Sequence, residues 1–139
     1  MATPKSIEYY SEIGNWARHN STVRMTVTPF LITVSLSVMA FKWNDKRPIF
    51  IIISAAIWGL AMLLLWYFTK LTVRAEVYLK TLETSLRNNT QFKKLFFEEG
   101  AVSSGDICTG MGKDISFRAG LFLTILYGFG VVWWICSNC

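Results

Sequence analysis

Ile49–Phe68 reads IFIIISAAIWGLAMLLLWYF, twenty residues without a single charge. At 1.5 Å of rise per residue such a run covers about 30 Å as a helix, the thickness of a bilayer's hydrocarbon core. Two more stretches share the pattern, Met25–Phe41 (MTVTPFLITVSLSVMAF) and Ala119–Cys136 (AGLFLTILYGFGVVWWIC). None of the three contains Asp, Glu, Lys, Arg or His. In lipid a short segment must satisfy its own backbone, and a closed helix does so. The sequence therefore predicts an all-α integral membrane protein with three transmembrane helices, at 22–43, 49–68 and 119–136.

Composition agrees. The chain has 139 residues, 53% of them hydrophobic, which leaves little for a separate soluble domain. Aromatic residues gather near the span ends, as Trp43, Trp66-Tyr67-Phe68 and Trp133-Trp134. Amphipathic rings favour the headgroup level, so these read as interfacial belts.

The net charge of +5 is not gathered into a patch that would bind nucleic acid, and no nucleic acid is expected as a partner. Lys5, Arg18 and Arg24 precede the first span, and eight basic residues from Lys70 to Arg118 lie between spans two and three. Only Lys42, Lys46 and Arg47 occupy the turn between spans one and two, and no charge follows Arg118. The positive-inside bias puts the N-terminus and residues 69–118 in the cytoplasm, in a multi-pass protein of the cell (inner) membrane. Anionic lipid headgroups are the expected partners of the basic residues. Residues 1–20 lack an apolar core, so they are expected to be retained rather than cleaved as a signal peptide.

Thr3-Pro4 reads as a helix start. Ile7, Tyr10, Ile13 and Ala17 then recur at helical spacing, with Glu8 and Glu12 on another side. This predicts an amphipathic helix over residues 1–21, lying in the interface or packed on protein. Pro29 predicts a kink or a helix start in span one. The turn at Asn44–Pro48 makes spans one and two a hairpin.

Nothing between Trp66 and Leu86 stops a helix, so span two should continue into a cytoplasmic helical extension. Leu71, Ala75, Leu79, Leu82 and Leu86 form an apolar stripe on it. That stripe must be buried, either by the N-terminal helix or by neighbouring copies; the second option is the main sequence argument for a homo-oligomer. Phe92, Leu95 and Phe96 sit in a short helix expected at Gln91–Glu99, within the segment 69–118. Four glycines among Gly100–Gly112 predict a loop. Its Gly105 and Gly110 do not make a phosphate cradle, because Met111-Gly112 displaces Lys113 and Asp114 stands in place of the hydroxyl residue.

Catalytic chemistry finds no support. His19 is the one histidine, and it has no nucleophile nearby in sequence. Cys136 and Cys139 are spaced for a local disulfide, but without a second pair or a nearby histidine they predict no metal site. No cofactor and no enzyme activity are expected. Ion-coupled transport relies on ionisable residues inside the membrane, and the spans have none.

What the spans offer is small and hydroxylated residues. Thr26, Thr33 and Ser37 share a face of span one with Phe30 beside them, which makes these four pore-lining candidates in a ring of subunits. Ala55 with Gly59, and Gly120, Thr124 and Gly128, are candidate helix-packing positions. Leu71, Leu79, Leu82, Leu86, Phe92 and Phe96 are candidate contacts to a partner through the stalk.

The expectation is a non-enzymatic, homo-oligomeric, pore-forming or membrane-perturbing effector, gated through its cytoplasmic helices by a protein or signal. Small multi-span proteins of this build serve as membrane-disrupting effectors in bacterial antiviral defence, an analogy of class and not of residues. The alternative is a membrane-anchoring or assembly subunit that docks a larger partner through the stalk. A holin-like lysis protein fits less well, given the long cytoplasmic insert.

Overall fold

A computed structural model describes residues 4–41, 43, 47–88, 96 and 101–138. The described residues are 93% helical and contain no strand. There are four helices among them: α1 (Pro4–Phe41), α2 (Pro48–Arg87), α3 (Ser104–Lys113) and α4 (Ile115–Asn138). Three are long and apolar enough to cross a membrane: α1 within Ile7–Phe41, α2, and α4 within Ile115–Ser137. Only 22%, 22% and 17% of their apolar windows are buried inside the chain, so most of that surface is left for the surroundings.

The N-terminal helix and span one are one helix rather than two. The polar stretch between them contains no glycine or proline. Asn20 Nδ2 donates to the Trp16 carbonyl at 3.1 Å, and Thr22 Oγ1 donates to that of Arg18 at 3.0 Å. Pro29 is not a helix start; it lies inside α1. Membrane helices tolerate such a proline when hydroxyls re-satisfy nearby carbonyls, and Thr33 Oγ1 donates to the Pro29 carbonyl at 2.9 Å. α2 opens on a proline, which suits a first helical position, and runs unbroken to Arg87.

The expected glycine loop is helical over Ser104–Lys113. Ser103 caps it by accepting from the Gly105 N–H at 3.3 Å, Asp106 lies in the first turn and Lys113 in the last. These charges complement the helix dipole. Ile107 and Met111 are buried, and a side chain at Gly110 would run into Val73 of α2. Here glycine gives closeness of approach, not a turn.

The chain forms two compact units, Met1–Thr22 with Phe68–Asp114, and Val23–Tyr67 with Ile115–Cys139. The first is called the stalk unit below and the second the span unit. In the stalk unit, Ile13, Ala17, Ala75, Tyr78, Leu82 and Phe96 form a core, with Tyr9, Trp16, Leu79 and Leu86 packed on it. In the span unit the core is Met39, Trp58 and Tyr127. There α1 and α4 run parallel: Met25 meets Ser116, Met39 lies against Gly130, and Trp134 Nε1 donates to the Trp43 carbonyl at 2.9 Å. α2 runs antiparallel to both, since Ser35 pairs with Ser54, and Ser54 and Trp58 pair with Tyr127 and Thr124.

Candidate functional site

The centre of the span unit is polar. Ser35 and Ser54 are each 0% exposed. Ser35 Oγ donates to the Ser54 carbonyl at 2.8 Å, and Ser54 Oγ donates to the Ser35 carbonyl at 2.9 Å. Each hydroxyl has one proton, so both protons are spent on the opposite backbone. The 2.6 Å contact between Ser54 Oγ and the Tyr127 hydroxyl therefore takes its proton from tyrosine. A turn further along α2, Trp58 Nε1 donates to Thr124 Oγ1 at 3.2 Å, while that hydroxyl donates to the Gly120 carbonyl at 2.8 Å. The Trp58 and Tyr127 rings stack with centroids 4.3 Å apart. The hydroxyls thus serve as glue between helices, where small side chains let the backbones come close.

The expected helix-packing positions divide. Gly120 is buried, and a side chain there would collide with Leu65; Thr124 carries the Trp58 bond. Ala55, Gly59 and Gly128 are exposed, and a Cβ at either glycine would meet nothing within 4 Å. Sequence reasoning missed Ser35 and Ser54. The sign was available, because each lies on a face opposite large exposed residues such as Ile52 and Phe30, but only the register between helices pairs them.

The four pore-lining candidates lie elsewhere. Thr26, Phe30 and Thr33 are exposed and Ser37 is half-buried. Ser37 Oγ donates to the Thr33 carbonyl at 2.8 Å, as Thr33 does to Pro29, so both hydroxyls are satisfied within α1. Thr26, Phe30 and Thr33 form an outward face that the described residues leave exposed, and Ser37 is partly covered. Thr28 differs from them: it is 4% exposed, and its Oγ1 has no hydrogen-bond partner among the described residues.

In the stalk unit Ala75, Leu79, Leu82 and Leu86 of the apolar stripe share a core with the chain's own N-terminal helix. Leu82 (4% exposed) and Phe96 (1%), expected as partner contacts, are core residues of this unit. Leu79 and Leu86 pack on the same core, and Leu71 is half-buried. This also removes the stripe as an argument for neighbouring copies. The face of the N-terminal helix is rotated from expectation. Ile7 and Tyr10 are exposed, while Tyr9 and Trp16 pack inward beside Ile13 and Ala17. Phe96 explains the rotation. Its N–H donates to the Tyr9 hydroxyl at 3.0 Å, and its carbonyl accepts from Arg74 Nη2 at 3.0 Å. Its ring meets Trp16 and Tyr78 edge-on at 5.2 and 5.3 Å, with the Arg74 guanidinium 5.2 Å from its centroid. Both main-chain groups and the ring are recognised by side chains of α1 and α2.

Phe92, Leu95 and the helix expected at Gln91–Glu99, Phe96 apart, lie outside the described residues, as do Asn44–Lys46 in the turn. Cys108 and Cys136 are exposed; Cys139, and with it the expected Cys136–Cys139 pair, is also outside. His19 is exposed. Among the described residues, no three His, Cys, Asp or Glu side chains form a group that could hold a metal ion. No family model, curated protein or solved structure matches the chain.

Proposed function

We propose that this is a non-enzymatic multi-pass membrane effector whose copies associate through the outward face of α1 and open a narrow polar path. The observation that carries the reading is a contrast in what the chain covers. Ala75 and Leu82 of the stalk stripe are buried, with Leu79 and Leu86 packed on the same core, whereas Thr26, Phe30 and Thr33 are exposed and Ser37 is half-buried. Among the described residues the exposed large hydrophobic side chains lie in the span unit, Ile7 and Tyr10 apart. In a ring of subunits that face would supply hydroxyls to water and Phe30 as an apolar constriction. The stalk unit would be the part that senses a cytoplasmic protein or signal, with a packed aromatic core able to hold two arrangements apart. The N-terminus inside, the inner membrane and a role in bacterial defence belong to this proposal.

The anchoring alternative docks a partner through the stalk stripe with Phe92, Leu95 and Phe96, of which Leu82 and Phe96 are already buried within the chain. The test is purification in mild detergent with mass determination, then ion flux from liposomes on the same sample. A discrete ring that leaks, with the leak lost in Thr33→Leu, is the expected result. A monomer, or a ring that stays sealed, would overturn the proposal. Thr33 is exposed and its hydroxyl bonds only its own helix, so this substitution leaves the chain's packing intact.

A further inference from the structure

Thr33 Oγ1 donates to the Pro29 carbonyl at 2.9 Å, and Ser37 Oγ donates to the Thr33 carbonyl at 2.8 Å. A hydroxyl has one proton and two lone pairs. Both protons are spent on α1 itself, so these side chains have only lone pairs left to offer a neighbour. Pro29 adds a third acceptor. In a helix the carbonyl of residue 25 is aimed at the nitrogen of residue 29, and here that nitrogen is proline's and carries no hydrogen. The Met25 carbonyl therefore lacks its helical donor. Met25 and Pro29 are both exposed, and Pro29 stands one turn before Thr33 on the same side of the helix.

No charge opposes this pattern along the face. Met25–Phe41 contains none, and Arg24, next to Met25, is 6% exposed. Arg24 stands nine residues before Thr33, which at about 3.6 residues per turn puts the two on opposite sides of α1. Lys42, Lys46 and Arg47 lie beyond the end of α1, in the turn. Charge there acts from a mouth and is screened by salt, whereas an ion in a narrow path meets the groups that replace its water.

A surface that only accepts hydrogen bonds solvates a cation and gives an anion nothing in exchange for its hydration shell. We infer that the path formed by this face carries small monovalent cations and excludes anions. The oxygens that coordinate the ion are the Met25 carbonyl and the Thr33 and Ser37 hydroxyls. This assigns the permeant class, and so rests on the reading that copies associate through α1 and conduct.

The test places the full chain in planar bilayers of phosphatidylcholine, a lipid without net charge, under a gradient of potassium chloride. The salt is kept near about 1 M, where charge at the mouths is screened within about 3 Å. The reversal potential then gives the permeability ratio. The expected result is potassium favoured over chloride by about ten-fold, equivalent to about 1.4 kcal/mol. Thr33→Ser keeps the oxygen and should keep the ratio. Thr33→Val keeps the shape without the oxygen and should lower the ratio about three-fold, or about 0.65 kcal/mol. Reversal at zero or on the chloride side would overturn the inference and leave the path standing, as would an unchanged ratio in Thr33→Val combined with Ser37→Ala. No conductance from the unsubstituted chain would overturn the path, and the inference with it.

Discussion

Phe96 and Phe129 are the same side chain in opposite settings. The first, in the stalk unit, is 1% exposed and held by four residues on two helices; the second, in the span unit, is 70% exposed. The contrast runs through both units. The stalk unit packs Tyr9, Trp16, Tyr78 and Leu82 inward, the arrangement that the hydrophobic effect favours. The span unit leaves Leu63, Phe122 and Trp133 outside and places serine, threonine and glycine between its helices. In lipid, tails are as apolar as leucine, so burial drives nothing and close approach with hydrogen bonds does the joining. One chain thus follows two sets of packing rules, and the change falls within α1, within α2 and at the junction of α3 and α4.

Substitutions that use one rule in one unit sharpen this contrast. The largest effect belongs to Phe96→Ala, which empties an aromatic core and should cost the stalk unit about 3–5 kcal/mol. Faster hydrogen exchange at the amides around Tyr78 and Ile13, with exchange in the spans unchanged, is the expected readout. Gly120→Leu comes next. It drives a side chain into Leu65 and should weaken the span unit by about 1–3 kcal/mol in a denaturing-detergent titration. Tyr127→Phe removes only the proton given to Ser54 and should cost about 0.6 kcal/mol in the same titration, since hydrogen bonds between membrane helices are individually modest. Ser54→Ala should exceed it, because the Ser35 clasp goes too. Thr33→Val should change stability by less than about 0.5 kcal/mol, as its hydroxyl serves only its own helix. A large loss in the last case would mean that this face is covered in the isolated chain and would break the contrast.

The spans were legible because length and absence of charge are properties of a segment alone. The unbroken run of α2 was legible for a similar reason, in the lack of any breaker between Trp66 and Leu86. Features that depend on two segments meeting were not. Ser35 looks like any hydroxyl of span one until the hairpin register sets it against Ser54. Periodicity favours Ile7 and Tyr10 over Tyr9 and Trp16, because it finds a face but not the partner that chooses between neighbouring faces. Phe96 is that partner, and it arrives from beyond the end of α2. The glycines of Ser104–Lys113 mask its helix in the sequence, although Ser103, Asp106 and Lys113 mark it as capped and charge-complemented.

The measurement closest to the central claim is site-directed spin labelling in vesicles, in a chain whose three cysteines are replaced by serine. Labels at Leu63 and Phe122 of the span unit and at Thr81 and Thr84 of the stalk unit all occupy exposed positions. The account predicts that dissolved oxygen, and not a water-soluble nickel complex, relaxes the first pair, while nickel reaches the second. Nickel access at Leu63 and Phe122 equal to that at Thr81 and Thr84 would contradict it.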